Sequence, residues 1–444
     1  MPTQNDHSVI ARRLAWAVGL TCIILGFLFN KSFVERTIVP DGQIQSPWFY
    51  MILLAGQTAV VGLGTFIIAQ RRKISANLLV VLASLFCSLL LAEVLLQLFY
   101  KPDALTAGFK SYVSKFEQNQ LGFRGQPIEY SPDDFVIVLL GDSFVQAQAC
   151  AYEWMPERRL EQHLKSFAKN VRVFTVGASG YGQDQQLLAI REFYEKYRAD
   201  LVILWQTFSN DVWNNMFPTH WPTNGPAKPT FWLENGELRG PTEQMGERLP
   251  PSSSIQIIVL LQKLLGVRAN RDKQWEKYLP RPYQPETKYT GPVKYDWQER
   301  WNNNFGGMRQ ENLENEKSHK AILLTPRSER MQYGLDLTRK LLHEIRALVT
   351  SHNGKFVIFN DAPPWENANS DQEVYLLNGK YYRTSKKQFD SNVDYINREF
   401  QFFLIPVTVE NWQVGPENRH LNEHATDQVM KDLALAMRDI VRAR

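Results

Sequence analysis

A serine, a histidine, an asparagine and a glycine, set in four separate patches of this sequence, make up one kind of chemistry. Ser143 ends the triplet Gly141-Asp142-Ser143, and Gly180 lies in the run Gly177-Ala178-Ser179-Gly180-Tyr181-Gly182. Asn210 precedes Asp211, and His420 follows Glu417 by three residues. A serine hydroxyl is a weak nucleophile until a base takes its proton, and a histidine does so near neutral pH. Glu417 is placed to turn back onto the second ring nitrogen of His420 and fix its tautomer. The negative oxygen that forms when an ester carbonyl is attacked needs donors already aimed at it. The backbone N–H groups of Ser143 and Gly180 and the side-chain amide of Asn210 supply three. Each patch also has a plainer reading. Gly-Asp-Ser makes a turn by local hydrogen bonding, Gly180 is a turn glycine, Asn210 caps a helix, and His420 is an ordinary surface or core histidine.

These residues act together only where the fold brings them to one rim. From about residue 131, short apolar runs alternate with helical stretches. The pattern predicts strands at 135–140, 171–176, 201–206, 356–359 and 402–407. Helices are expected at 155–167, 184–197, 329–349 and 426–441. Such alternation gives parallel βαβ units with helices on both sheet faces. The carboxyl ends of parallel strands share one edge, where open α/β sheets hold their ligands. The first three patches each follow a strand and the fourth lies near the C-terminus, so all four are expected to converge there.

In that order the patches resemble the SGNH, or GDSL, hydrolase superfamily. The family's first block matches Gly141-Asp142-Ser143, its second-block glycine matches Gly180, and its third-block Asn-Asp pair matches Asn210-Asp211. Its last block, normally Asp-x-x-His, matches Glu417-x-x-His420. The resemblance covers about residues 131–211 and 340–444. It implies a flavodoxin-like three-layer α/β/α parallel sheet, with Ser143 as nucleophile, His420 as base, and no cofactor. Two positions depart from the pattern. Glu417 stands where the family has Asp, so Asp361 after the fourth strand, or a weakened dyad, are alternatives for the orienting role. Phe208 replaces a glycine two residues before Asn210, which predicts crowding beside that oxyanion donor. Asp142 and Asp211 read as residues that hold loop backbone. His424, four residues after His420, lacks the carboxylate–histidine pattern of a metal site, and is expected to be solvated at a helix start.

The α/β pattern breaks between about 212 and 326. Unstructured loops of this length are uncommon in compact domains. Six of the twelve tryptophans lie here, at 213, 221, 232, 275, 297 and 301. Disordered segments are poor in aromatics, so an ordered lid or subdomain is expected. A hairpin with an Asn235-Gly236 turn is predicted at 231–238. Residues 255–265 are apolar but too short to cross a bilayer, and suit a packed helix or a surface resting on the membrane. Trp213, His220, Trp221 and Trp232 form an aromatic group that is either packing or a platform for stacking sugars.

Three apolar stretches precede the α/β pattern, at about 14–30, 48–70 and 76–100. A span needs roughly 20 residues, so residues 1–100 are expected to form three membrane helices, followed by a linker at 101–130 and the hydrolase-like domain at 131–444. Arg12-Arg13 and Arg71-Arg72-Lys73 then lie on the cytoplasmic side, which puts the α/β domain outside the cytoplasm. Glu93, within the third stretch, is a functional candidate or a residue that faces a neighbouring helix.

The 444 residues carry a net charge of only +4, and no basic tract interleaved with aromatics, so nucleic acid is not an expected partner. Three cysteines, Cys22, Cys87 and Cys150, show no metal spacing. The reading is a membrane-anchored, extracytoplasmic serine ester hydrolase or acyltransferase. Its expected substrates are esters, with O-acyl groups of cell-surface polysaccharides or lipids as candidates, and an acyl-donor protein in the membrane is a candidate partner. The rival readings are a catalytically degenerate domain that binds glycans or an envelope partner, and a scaffold that works within the membrane.

Overall fold

The computed structural model describes residues 4–37, 47–73, 76–99, 117–220, 227–241, 257, 271–296, 313–362, 372–415 and 418–442. The chain divides into two compact units, one of residues 1–104 and 246–274, the other of residues 105–245 and 275–444.

The first unit contains three long helices, α1 (Gln4–Leu28), α2 (Pro47–Ala69) and α3 (Ala76–Phe99). All three expected segments are helical. Among the described residues only Tyr50–Ala69 is long and apolar enough to cross a membrane. Helix α1 carries Arg12 and Arg13 within it, and the described apolar part of α3 is Cys87–Leu96. In the same unit a carboxylate oxygen of Glu93 accepts the backbone N–H of Ile257 at 2.9 Å. Ile257 belongs to the apolar 255–265 stretch, the rest of which lies outside the described residues.

The second unit is built on a five-stranded parallel sheet. Its strands are β1 (Phe135–Gly141), β2 (Val171–Gly177), β3 (Leu201–Trp205), β4 (Lys355–Ala362) and β5 (Phe402–Pro406). Their order across the sheet is β5-β4-β3-β1-β2, and every pairing is parallel. This is the flavodoxin-like order, whose ligand crevice opens between β1 and β3 at the carboxyl ends.

Side chains of a strand alternate between faces, and β1 feeds two cores. Val136, Val138 and Leu140 pack in one core with residues of α6 (Gln183–Tyr194), α7 (Phe208–Met216) and α8 (Glu329–Ser351). Ile137 and Leu139 pack in the other with residues of α5 (Pro156–Leu164) and α10 (Glu423–Arg442). A strand buried on both faces reads as an unbroken apolar run, which is why Phe135–Leu140 was legible.

Several elements differ from expectation. A helix α9 (Lys386–Asn397) precedes β5, and an antiparallel pair, Gln372–Leu377 with Lys380–Ser385, precedes α9. Residues 117–130, within the stretch read as a linker, pack into the domain. Phe123 and Arg124 are buried there, and the Arg124 guanidinium is satisfied by carbonyls of the β1–α5 connection. In the 212–326 stretch, Trp232–Glu234 pairs with Glu237–Arg239 across the expected Asn235-Gly236 turn, and both turn residues have positive φ. Two lysines of this stretch, Lys228 and Lys317, are wholly buried.

Candidate active site

Strand β1 delivers Gly141 and Asp142 to the carboxyl edge, and Ser143 opens the one-turn helix α4 (Ser143–Gln146). The tight turn depends on Gly141. A Cβ there would sit 2.5 Å from Val145 Cγ2 and 3.2 Å from the Trp205 carbonyl. Asp142 caps α4, with Oδ1 accepting the Phe144 N–H at 3.0 Å. At the far end, Arg124 donates to the carbonyls of Gln146 at 3.3 Å, of Ala147, and of Cys150 at 2.9 Å. The helix that carries the serine is therefore held at both ends.

His420 comes from the two-stranded hairpin Gln413–Gly415/Asn418–Leu421 before α10. Its Nε2 lies 2.9 Å from Ser143 Oγ, and its ring packs 5.1 Å from that of Phe144. These two residues are 277 positions apart in the chain. The second ring nitrogen, Nδ1, lies 2.6 Å from Asn418 Oδ1. An amide oxygen only accepts, so Nδ1 carries the proton and Nε2 faces the serine as the basic nitrogen. That is the arrangement a general base requires.

Asn418 was not among the sequence candidates. Glu417 lies outside the described residues, and Asp361 is engaged elsewhere, its Oδ1 accepting the Trp205 indole N–H at 2.7 Å. The Asn418 signal was present as strand period: residues i and i+2 of an extended strand share a face. Asn418 Oδ1 also accepts the His420 backbone N–H at 3.2 Å, which ties the side chain to its own strand.

Burial pushes the His420 imidazolium below its ordinary range. The Asp142 carboxylate opposes that shift, and the neighbouring His319 adds to it. His319 belongs to the 212–326 stretch and meets Trp213 edge to face at 5.9 Å.

Of the oxyanion candidates, Asn210 is tied directly to the residue before the nucleophile. Asn210, in the first turn of α7, is buried and donates from Nδ2 to Asp142 Oδ2 at 3.0 Å. A carboxamide has two N–H bonds, so one is fixed on Asp142 and the amide is oriented by it. Asp142 and Asp211 hold backbone as expected. Asp211 accepts the Thr207 N–H at 2.8 Å and the Gln183 amide at 2.7 Å. Burial raises both carboxyls above the usual range, Asp211 the more. Gly180 has φ +77°, a conformation other residues adopt only with strain.

Trp213 is buried in the core, its indole N–H donating to the Ser209 carbonyl at 3.1 Å, so its ring offers no platform for a sugar. Trp232 packs edge to face on the buried Trp275 at 6.5 Å, and Trp221 lies outside the described residues. Phe208 does not crowd the oxyanion donor, because its ring turns into the core against Phe389 and Phe402. His424 is exposed beside Trp154. Among the described residues no cluster of three or more metal-ligating side chains forms.

No family model matches the chain, and no curated protein matches it in sequence. Three solved structures are distantly similar in shape. TesA aligns at a TM-score of 0.32 and 8% identity, over 69% of this chain and 99% of that one. A protein from Agrobacterium tumefaciens named as an arylesterase aligns at 0.30 and 12%, over 69% and 99%. An acetyl xylan esterase from the rumen bacterium Butyrivibrio proteoclasticus aligns at 0.29 and 11%, over 71% and 66%. Likeness at this distance carries no argument about chemistry, which rests on the geometry above.

Proposed function

We propose that this protein is an SGNH-type serine ester hydrolase or acyltransferase, anchored in a membrane by its N-terminal helices. One observation carries the reading: Ser143 Oγ, His420 and Asn418 Oδ1 form an unbroken hydrogen-bonded line of 2.9 and 2.6 Å.

In the reaction, Ser143 Oγ attacks an ester carbonyl carbon while His420 Nε2 takes its proton. The imidazolium keeps its Nδ1–H on Asn418, and the Asp142 carboxylate offsets its charge. The carbonyl oxygen, now negative, is held by the N–H groups of Ser143 and Gly180 and the amide of Asn210. His420 then protonates the leaving alcohol, which leaves an acyl-serine. The same histidine activates the second acceptor. Water as that acceptor gives hydrolysis, and a sugar hydroxyl gives O-acyl transfer.

The wider reading places the three N-terminal helices in the bilayer and the α/β domain outside the cytoplasm. It takes O-acyl groups of cell-surface glycans as substrates and an acyl-donor protein in the membrane as a partner. The arginine and lysine distribution supports this orientation. Fluorophosphonate labelling of the detergent-solubilised full chain tests the core of the reading. Wild type should label at Ser143, and Ser143→Ala and His420→Ala should not. A folded wild type that takes no label would sink the enzymatic account and leave a binding domain.

A further inference from the structure

The oxyanion loop is gripped from both flanks, once by the nucleophile's own helix and once by the 212–326 stretch. Gln146, the last residue of α4, accepts the Ser179 N–H on its side-chain oxygen at 2.9 Å. His220 lies across the next residue, its Nδ1 3.3 Å from the Gly180 carbonyl oxygen. A carbonyl only accepts, so this nitrogen is the protonated one. The other ring nitrogen then accepts from the Gln185 amide at 3.4 Å, which suits a neutral ring. A Cβ on Gly180 would come 3.3 Å from the same imidazole nitrogen, so the ring rests directly on the glycine.

His220 is itself fixed. Lys317 Nζ donates to the His220 carbonyl at 3.1 Å, and to the Thr219 carbonyl and hydroxyl at 3.0 and 2.6 Å. Both His220 and Lys317 are buried.

The peptide joining Ser179 to Gly180 carries the donor N–H. Turning that N–H away from the site requires rotation about ψ of Ser179 and φ of Gly180. The peptide before it is pinned through the Ser179 N–H, and the peptide after it through the Gly180 carbonyl. Resting on the acyl-serine reading above, we propose that Gln146 and His220 are positioning residues that hold the Gly180 N–H toward the oxygen of the attacked carbonyl. The 212–326 stretch is thereby part of the catalytic apparatus and more than a cover over it.

The test uses the full-length protein in detergent, with p-nitrophenyl acetate and a fluorophosphonate as probes and rates expressed per labelled site. His220→Ala and Gln146→Met should each lower kcat and the labelling rate constant by about tenfold or more, toward the hundredfold typical of a lost oxyanion donor. KM should move by less than about twofold, and the acidic pH midpoint, set by His420, should stay in place. His220→Asn, whose amide nitrogen stands where Nδ1 stands, should recover most of the rate. A purely structural role would lower the melting temperature and the number of labelled sites while leaving the rate per site unchanged. Folded variants with wild-type rates per site overturn the proposal. Where His220→Ala does not melt cooperatively, Gln146→Met decides alone by the same criteria. A folded wild type without label removes the acyl-serine reading itself, a result distinct from variants that match an active wild type.

Discussion

Asn418 Oδ1 receives the Nδ1 proton of His420 at 2.6 Å from two residues back on the same strand. The orienting group in this geometry is neutral and local, and Glu417, the carboxylate the sequence pointed to, lies outside the described residues. Asn418 fixes the tautomer as an aspartate would, without lending the imidazolium a full negative charge. Asn418→Ala should lower kcat/KM by about a hundredfold or more, since loss of the correct tautomer alone is severe in serine triads. Asn418→Asp should keep activity and move the acidic limb of the pH profile upward, because a carboxylate favours the charged ring. Steady-state kinetics across pH reads both outcomes, and an inert Asn418→Ala would remove the residue from the mechanism.

The pH profile of the wild type follows from His420. Burial lowers its pKa from the ordinary 6.5, and only the neutral ring accepts the serine proton. Activity should rise with pH through a midpoint below that value and be level at neutrality. A kcat/KM profile with its acidic midpoint above 7 would contradict this environment for the ring.

Asn210 gives one N–H to Asp142 and has a second for the oxyanion. Asn210→Ala should lower kcat by about a hundredfold or more with little change in KM, as for other oxyanion donors. Asp142→Ala should reproduce part of that loss, because it frees the amide and removes the cap of α4. Kinetics on the two single variants and the double variant tests this. Additive losses would show that Asp142 does not act through Asn210.

Stability should also depend on pH through Glu157. This carboxyl is wholly buried, and one oxygen accepts the Gln126 N–H at 2.6 Å. Burial raises its pKa from 4.5 to about 7. The folded state thus holds a proton that the unfolded state releases. The contribution is full below about pH 4.5, is lost as pH rises through about 7, and is constant above. The loss amounts to about 3 kcal/mol at most. Glu157→Gln, which keeps the size and an accepting oxygen, should flatten this part of the profile and gain on wild type between pH 5 and pH 8. Urea melts at the two pH values measure it, and parallel curves would mean that Glu157 is not buried in its charged form.

Local pattern carried much of this molecule. The unbroken apolar run before Gly141 gives β1, because a strand covered on both faces needs apolar side chains at every position. The positive φ of Asn235 and Gly236 follows from their residue types. The strand ends ahead of Ser143, Gly180 and Asn210 were legible because each is marked by a switch to small and polar residues. The antiparallel pair at 372–385 and helix α9 were not foreseen, since their mixed composition has no clear period.

By itself the sequence determined which segments form the five-stranded sheet, that those strands run parallel, and therefore that the turns carrying Ser143, Gly180 and Asn210 follow strand ends on one edge. Only the tertiary structure decided what each side chain meets there. It set Asn418 against His420, turned Phe208 into the core, buried Trp213, and laid His220 on Gly180. The physical reason is range. Period and turn chemistry act over a few residues, whereas these contacts depend on packing between elements that are distant in the chain, or, for Asn418, on a strand that exists only because its hairpin partner pairs with it.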